Sequence, residues 1–292
     1  MSELAASVVA HAKINLGLRV LAREETGFHA IETVFARLAL GDLVTVRVVE
    51  AGRSIECRGA DVGPSERNLA YRAASAFADT TGWPRGFAIE VDKRVPVGGG
   101  LGGGSADAGA VLRALAALSP QPISRNELLR IAGPLGSDVP FLTSEAPLAL
   151  AWGRGERMLA LPPLPEREVA LVMPGFAVAT AEAYGWLAAE RGGHTPVPQS
   201  LELQQLASWD SLAQWVENDF EGPVALRHPE IVAAVDALRH AGASIALMSG
   251  SGSTVFGVFA AAPAPASLAA TVPGTIAMTR ILTHVPPVRL IE

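Results

Sequence analysis

Apolar and polar positions alternate with a period of two along much of the first fifty residues, a pattern typical of half-buried β strands. We predict four strands in this region, at residues 5–14, 16–21, 31–40 and 43–49. Residues that favour turns separate them, and we predict turns at 24–27 and 41–42. Consecutive strands joined by short turns predict a largely antiparallel sheet.

The spacing of apolar residues changes to a helical period at residues 67–80, where the apolar side chains share one face. Residues 87–91 then alternate like a strand. The Ala- and Leu-rich segment 105–118 predicts a second helix, and 126–131 predicts a third that a Gly-Pro pair ends.

A change in composition divides the chain near its middle. The proline-rich segment 161–165 is the best candidate for a boundary, and we predict two units, at residues 1–160 and 161–292. The second unit has predicted strands at 168–173, 244–248, 254–259 and 277–282, and predicted helices at 181–190 and up to residue 241. Segregated strands and helices of this kind predict the α+β fold class.

Composition excludes several classes of function. A net charge of -6 and an aromatic content of 5% provide neither the basic field nor the stacking surfaces that nucleic-acid binding needs. Cys57 is the single cysteine, so no intramolecular disulfide forms, and no Cys/His cluster has the spacing of a structural zinc site. The chain has an early Glu3 and no long uncharged apolar run, so we expect neither a signal peptide nor a membrane span. We predict a cytoplasmic protein.

Lysine is almost absent from the basic residues. Lys13 and Lys93 are the only lysines among 23 basic residues. One interpretation is that these two lysines are present by chance. However, a compact ammonium charge and a planar guanidinium are not interchangeable, so both lysines are candidate functional residues.

Glycine occupies six of the seven positions 98–104, and this segment runs directly into the predicted helix at 105–118. Without Cβ atoms the glycines let backbone N–H groups converge on an anion, and the start of a helix adds unsatisfied donors and a positive dipole. A flexible linker is the alternative, but linkers do not normally lie between a strand and an Ala-rich helix. The segment therefore predicts a phosphate site.

Two common phosphate loops do not fit this segment. A Walker loop needs a lysine directly before Ser105, where the chain has Gly104. Gly98, Gly100 and Gly103 satisfy the dinucleotide pattern, but that pattern requires a following strand with an acidic end. Residues 123–131 are instead predicted to be helical.

Residues 96–106, Pro-Val-Gly-Gly-Gly-Leu-Gly-Gly-Gly-Ser-Ala, resemble the phosphate-binding motif of the GHMP kinase superfamily, in the version found in the 4-diphosphocytidyl-2-C-methyl-D-erythritol kinase family. Ala-Lys-Ile-Asn-Leu at 12–16 and Gly-Phe-His at 27–29 resemble that family's opening motifs. Gly-Ser-Asp-Val-Pro-Phe at 136–141 and the Gly/Ser-rich segment 247–256 resemble its two later motifs. The motifs occur in the family's order along nearly the whole chain.

The resemblance implies a two-lobed GHMP kinase fold, with an amino-terminal lobe like ribosomal protein S5 and a carboxy-terminal α/β-sandwich lobe. It implies ATP with Mg²⁺ as the phosphoryl donor and a small-molecule substrate that carries a cytidine diphosphate group. No acidic cluster in the sequence identifies a protein ligand for Mg²⁺, so we predict none. The residues implied to bind the nucleotide are Lys93, Pro96, Gly98, Gly99, Gly100, Leu101, Gly102, Gly103, Gly104 and Ser105.

Lys13 and Asp138 are the implied catalytic residues. A lysine beside the acceptor hydroxyl would stabilise the charge that develops on its oxygen, and an aspartate would accept its proton. Taken alone, Lys13 could be a solvated strand residue and Asp138 could cap a turn. Asn15 and His29 could hydrogen-bond a pyrimidine edge and Phe28 could stack on it. The residues implied to bind the substrate are Asn15, Phe28, His29, Thr180, Tyr184, Gly250 and Gly252.

Two other functions compete with this interpretation. A GHMP kinase that acts on homoserine or mevalonate is the nearer one, and the motifs at 12–16 and 27–29 argue against it. A non-catalytic phosphate-binding relative is the other, and the presence of both Lys13 and Asp138 argues against it. Asp107 departs from the pattern, because many relatives have Asn there, and it adds a negative charge beside the phosphate site.

Overall fold

One mixed β sheet, one antiparallel β sheet and the helices packed on them make up the computed structural model, which describes residues 4–23, 29–194, 201–263, 268, 272 and 274–291. The first sheet has the strand order β11-β1-β2-β4-β3, and β2 also pairs with β5, which pairs with β6. Its strands are β1 (Ala5–Arg23), β2 (His29–Val49), β3 (Arg53–Arg58), β4 (Gly86–Asp92), β5 (Leu148–Gly153), β6 (Arg157–Ala160) and β11 (Arg289–Ile291). Only the β3–β4 pair among them is parallel.

Three helices pack against the first sheet, namely α1 (Leu69–Thr81), α2 (Gly103–Leu118) and α4 (Val139–Thr143), and α3 (Arg125–Ala132) packs on these three helices. The side chain of Asn68 caps α1 by accepting from the N–H of Ala70, and Gly82 ends the helix in the left-handed conformation. The small residues of α2 let it lie close to its neighbours: a Cβ atom on Gly109 would come within 2.5 Å of the Leu142 carbonyl carbon in α4. Helix α4 is therefore packed directly on α2.

The second sheet has the order β10-β7-β9-β8. Its strands are β7 (Glu168–Met173), β8 (Ile245–Met248), β9 (Val255–Phe259) and β10 (Thr275–Arg280), and the helices around it are α5 (Thr180–Arg191), α6 (Trp209–Trp215), α7 (Glu221–Ala225) and α8 (Glu230–His240). A shared core joins the two sheets, with Ile14 and Val34 from the first and Leu171 and Val258 from the second. None of the described helices is long and apolar enough to cross a membrane.

The described strands pass from one sheet to the other twice. The first passage lies between β6 and β7, at the proline-rich segment 161–167, and the second lies between β10 and β11. Strand β11 pairs with the start of β1, with Ile291 opposite Ala5. The boundary at residue 160 stays a prediction.

The structure confirms the helices predicted at 67–80, 105–118 and 181–190 as α1, α2 and α5. The predicted turn at 41–42 is wrong, because β2 runs without a break through both residues. Gly41 lies so close to β1 that a Cβ atom there would be 2.9 Å from the Ala10 carbonyl oxygen. The chain uses this glycine for close strand pairing.

The strands predicted at 5–14 and 16–21 form one strand, β1, whose register shifts between Asn15 and Gly17. A bulge of this kind bends a strand without ending it. The turn predicted at 24–27 lies outside the described residues. Strands β3, β5, β6 and β11 were not predicted: β3 has only two apolar residues, β5 is an apolar run without alternation, and β6 and β11 have only four and three residues.

Candidate active site

Most of the predicted site residues line one cleft of about 560 Å³. Strand β1, the glycine-rich segment before α2, the start of α5 and the loop after β8 all contribute to its wall. The predicted residues in this wall are Lys13, Asn15, Lys93, Pro96, Gly98, Gly99, Gly100, Leu101, Gly102, Gly103, Gly104, Ser105, Asp138, Thr180, Tyr184 and Gly250. Both lysines of the chain therefore lie at the same cleft.

Two of the predicted residues that the structure describes are not part of this wall. Phe28 lies outside the described residues. The His29 ring stacks on the ring of Tyr184, with centroids 4.5 Å apart, and so contacts a wall residue. Gly252 lies behind Gly250 and Ser251, where a Cβ atom would come within 2.7 Å of the Met248 sulfur.

The glycine-rich segment has the backbone of an anion cradle. Gly98, Gly100 and Gly102 adopt φ values of 78°, 75° and 70°, a left-handed conformation that favours glycine. Gly102 is the N-cap of α2 and has no side chain to bond the N–H groups of the first turn. These donors and the positive end of the helix dipole are free to bind an anion.

A second glycine loop, at residues 249–252, packs against the first. The Ser249 hydroxyl donates to the Gly100 carbonyl oxygen at 3.1 Å, and the N–H of Thr254 donates to the Gly99 carbonyl oxygen at 3.3 Å. A Cβ atom on Gly100 would overlap the Ser249 carbonyl oxygen. The absence of side chains thus allows the close packing of the two loops as well as the shape of the cradle.

The Lys13 ammonium lies between the cradle and Asp138. Lys13 Nζ donates to Asn15 Oδ1 at 2.6 Å and to the Gly100 carbonyl oxygen at 3.0 Å, and it lies 3.3 Å from Asp138 Oδ2. The Lys13 side chain is 4% exposed, whereas that of Asp138 is 28% exposed. The carboxylate is therefore open to a ligand in the cleft while the ammonium is enclosed.

Asn15 is already hydrogen-bonded through both ends of its side-chain amide. Its oxygen accepts from Lys13 Nζ, and its Nδ2 donates to Thr33 Oγ1 at 2.8 Å. The Thr33 hydroxyl in turn donates to the Gly17 carbonyl oxygen at 2.6 Å. These contacts favour a role for Asn15 in orienting Lys13, and its predicted contact with a pyrimidine stays a prediction.

Lys93 is bound by two buried carboxylates. Its Nζ donates to Asp42 Oδ2 and, at 2.8 Å, to Asp107 Oδ2. Burial alone would lower the pKa of Lys93, but Asp107 and Asp42 outweigh it, and the pKa is raised. Lys93 is therefore fully protonated near neutral pH and has its charge balanced inside the protein.

Asp107 is the second carboxylate bound to Lys93, and its pKa is strongly raised. Its pKa is raised to about 7, mainly by burial and to a smaller extent by the neighbouring Asp42, while Lys93 opposes the rise. Its Oδ1 atom is buried and has no hydrogen-bond partner among the described residues. Asp107, which stands where many relatives have Asn, thus places a carboxyl group with a pKa near neutral beside the cradle.

Asp42 is a site residue that the sequence did not identify. It is fully buried, and its Oδ1 accepts from the N–H of Val95 at 2.7 Å and also from the N–H of Arg94. It thereby fixes the segment that leads into the cradle. The only signal in the sequence was an aspartate beside Gly41, which favoured a turn.

An aromatic cluster forms the far end of the cleft. Tyr184 and Phe220 both line it and meet edge to face at 4.8 Å. Burial, with a smaller contribution from the Asp138 charge, raises the pKa of the Tyr184 phenol, which therefore remains protonated. The Thr180 hydroxyl lies 3.0 Å from that of Ser251, so α5 and the second glycine loop meet here.

The cleft suits a nucleoside triphosphate better than a metal ion alone. Among the described residues no group of three or more His, Cys, Asp or Glu side chains is placed to hold a metal. Among the described residues, the wall contains two carboxylates, Asp107 and Asp138. Mg²⁺ commonly binds through one or two carboxylates together with substrate phosphates, so these residues and the cradle fit a nucleotide–Mg²⁺ complex.

Family models match both halves of the chain. The model described as GHMP kinases N terminal domain matches residues 68–145, and the one described as GHMP kinases C terminal matches residues 201–273. The first match contains the cradle and Asp138, and the second contains the 249–252 loop.

Proteins similar to this chain include two named 4-diphosphocytidyl-2-C-methyl-D-erythritol kinase. The one from Moorella thermoacetica is 40% identical over 257 residues, which is 86% of this chain and 89% of the relative. The one from Thermus thermophilus is 41% identical over 253 residues, which is 86% of both chains.

Solved structures show the same likeness in three dimensions. A crystal structure of 4-(cytidine 5'-diphospho)-2C-methyl-D-erythritol kinase matches with a TM-score of 0.75 and 36% identity, over 94% of this chain and 98% of the other. The homoserine kinase from Cytophaga hutchinsonii matches with a TM-score of 0.68 and 17% identity, over 98% and 97% of the two chains. At that identity the second match shows the fold alone.

Proposed function

Because the chain belongs to the 4-diphosphocytidyl-2-C-methyl-D-erythritol kinase family of the GHMP kinases, we propose that it transfers the γ-phosphoryl group of ATP to the 2-hydroxyl group of 4-diphosphocytidyl-2-C-methyl-D-erythritol. The products are ADP and the 2-phosphate of that alcohol, a step of the non-mevalonate route to isoprenoid precursors. The observation that carries the proposal is the Lys13–Asp138 pair beside a glycine cradle in one cleft.

The cradle would bind the phosphates of ATP. Its positive-φ glycines and the first turn of α2 present N–H groups that suit an anion. Bound Mg²⁺ would neutralise charge on the β- and γ-phosphate oxygens. Asp42 and Lys93 fix the segment before the cradle, so the donors are positioned before the nucleotide arrives.

Asp138 and Lys13 would act on the acceptor hydroxyl. The hydroxyl oxygen forms a bond to the γ-phosphorus while the bond between that phosphorus and the ADP oxygen breaks, and the hydroxyl proton passes to the Asp138 carboxylate. The Lys13 ammonium, 3.3 Å from this carboxylate, stabilises negative charge on the attacking oxygen. Most of the catalytic effect comes from holding these groups in position.

The aromatic end of the cleft would bind the cytidine. Tyr184 and Phe220 present ring surfaces there, and His29 lies against Tyr184. A pyrimidine can stack on such rings, and an imidazole can hydrogen-bond its polar edge. Phe28, next to His29 in the chain, stays a predicted partner of the same base.

Turnover with four alcohols tests the proposal. ADP release is coupled to a spectroscopic assay with the cytidylated alcohol, the same alcohol without cytidine, homoserine and mevalonate. We expect a kcat/KM for the cytidylated alcohol that is about 10⁴-fold higher than for the free alcohol, since a site built to hydrogen-bond a group rejects substrates that lack it. Equal efficiency on both alcohols would contradict the cytidine site, and preferred turnover of homoserine or mevalonate would contradict the proposed acceptor.

A further inference from the structure

Arg37 is a buried arginine that does not line the cleft. It lies in β2 directly opposite Lys13 in β1, and it is 1% exposed. No carboxylate forms an ion pair with it in the described part of the chain. A charge buried in this way is costly unless its hydrogen bonds are satisfied, so the contacts of this guanidinium need an explanation.

The guanidinium binds the carbonyl groups that end α4. Its Nη2 donates to the Phe141 carbonyl oxygen at 2.7 Å and to that of Ser144 at 2.9 Å. Nη1 donates to the Leu142 carbonyl oxygen at 3.3 Å, and Nε donates to that of Ala146 at 3.4 Å. One side chain thus satisfies four carbonyl groups between residues 141 and 146.

Helix α4 needs such a partner. It has only five residues, and helices shorter than about 12–15 residues are marginal in water. The N–H of Ser144 donates to the carbonyl groups of Pro140 and Phe141, whereas Arg37 donates to that of Leu142, and a cation at this end also complements the helix dipole. Asp138 is the residue from which α4 starts, so whatever fixes the helix also fixes this carboxylate.

We infer that Arg37 is the positioning residue for Asp138, and that the β1–β2 pair sets the distance between the two reacting side chains. Strand β1 carries Lys13 itself, and β2 carries the arginine that fixes α4. Gly109 of α2 also supports α4 through its close contact with Leu142. The inference rests on the proposed function, because it assigns Arg37 an effect on Asp138 as a base.

Position 37 requires a planar guanidinium group with several N–H donors. A lysine would retain the positive charge, but its single ammonium cannot reach four carbonyl groups spread over six residues. Arg37→Lys is therefore the informative change. Arg113→Lys is the matched control, because Arg113 is also buried, at 6% exposed, and also donates to a backbone carbonyl, that of Pro286 at 2.6 Å.

The kinetic test measures kcat and the KM for ATP in both variants, at a temperature where circular dichroism shows that they are folded. We expect Arg37→Lys to lower kcat about tenfold or more with the KM for ATP within about twofold, because misplacing a catalytic group mainly affects the chemical step. Arg113→Lys should keep kcat within about twofold. A normal kcat in Arg37→Lys, or an equal loss in both variants, would overturn the inference.

A double-variant cycle separates positioning from general stability. When Asp138→Asn has removed the base, Arg37→Lys should lower the remaining turnover by less than about twofold, because the group it positions is gone. A further loss as large as in the wild-type background would contradict the role assigned to Arg37. This cycle is interpretable only if the wild type turns over the cytidylated alcohol, which the four-alcohol assay establishes separately.

Hydrogen exchange of the wild-type protein supplies a measurement that needs no variant. The N–H of Leu142 donates to the Asp138 carbonyl oxygen at 3.1 Å, and that of Ser144 donates to the Pro140 carbonyl oxygen at 3.0 Å. If Arg37 fixes α4, these amides exchange much more slowly than unstructured ones. Exchange at the unstructured rate would overturn the inference whatever the kinetics of the variants, and whether or not the proposed substrate is correct.

Discussion

Lys13 Nζ lies closer to the amide oxygen of Asn15, at 2.6 Å, than to the carboxylate of Asp138, at 3.3 Å. The ammonium is thus oriented by a neutral acceptor two residues away on its own strand. The carboxylate keeps oxygen sites available for a proton. This arrangement leads to a prediction that separates two roles for Asn15.

We expect Asn15→Ala to lower kcat about tenfold and to change the KM for the cytidylated alcohol by less than about threefold, because a positioned catalytic group becomes mobile. Thr33→Val is the matched change, since it removes the hydroxyl that accepts from Asn15 without altering the cleft wall. It should lower kcat in the same direction by a smaller factor. A large rise in KM with normal kcat in Asn15→Ala would instead show that Asn15 contacts the base.

Gly102→Ala should impair both nucleotide binding and chemistry. The residue has a φ of 70°, and a Cβ atom there would lie 3.1 Å from both Cγ and Cε of Lys13. We expect kcat/KM for ATP to fall about 100-fold or more, with a lower kcat as well. Gly104→Ala is the control for folding, and we expect it to fold like the wild type. The nearest neighbour of the added Cβ atom, Leu69 Cδ1, is 3.8 Å away, and alanine favours a helix. Wild-type kinetics in Gly102→Ala would contradict the close approach of Lys13 to the cradle.

Asp107→Asn should change how stability depends on pH. The folded-state pKa of Asp107 is raised to about 7, so the folded protein binds a proton that the unfolded chain releases near pH 4. Stability from this group is therefore complete at low pH and is lost as pH rises toward 7. Between pH 5 and pH 8 we expect the free energy of unfolding of the Asn variant to rise by about 2 to 3 kcal/mol relative to that of the wild type.

Urea denaturation of both proteins at the two pH values measures this difference. Asp79→Asn is a suitable comparison, because Asp79 is exposed and its salt bridge with Arg53 lies at the surface. A difference between wild type and Asp107→Asn that stays constant from pH 5 to pH 8 would mean that Asp107 is ionised throughout.

Tyr184→Leu should weaken binding of the cytidylated alcohol, because an aromatic face contributes about 1 to 3 kcal/mol per stacked base. The KM for that substrate should rise accordingly while the KM for ATP stays within about twofold. Tyr184→Phe retains the ring and should keep both values close to those of the wild type. An equal rise in KM for the two variants would assign the effect to the hydroxyl group and not to stacking.

The sequence predicted the elements whose signal is local. The glycine run and the Ala-rich helix after it occupy consecutive positions, so the cradle and α2 were predicted almost to the residue. The family resemblance and the α+β class are confirmed by the family models and the solved structures. The roles of the individual site residues, and a cytoplasmic location, stay predictions.

The residues that the sequence missed depend on distant partners. Arg37 binds carbonyl groups more than 100 positions away, and Asp42 binds N–H groups more than 50 positions away. In an alternating strand pattern such charged residues are indistinguishable from those on a solvent-facing surface. Only the packing of α4 and of the segment before the cradle gives these two side chains their importance.

The return of the chain to the first sheet through β11 limits how the two sheets can move. A body joined by one linker can turn in any direction, but the second sheet is attached at 161–167 and again between β10 and β11. The two attachments act together with the shared core and with the backbone pairing of Leu18 with Glu217 and Asp219. The loop at 249–252 is therefore held against the cradle by contacts on several sides and not by a single linker.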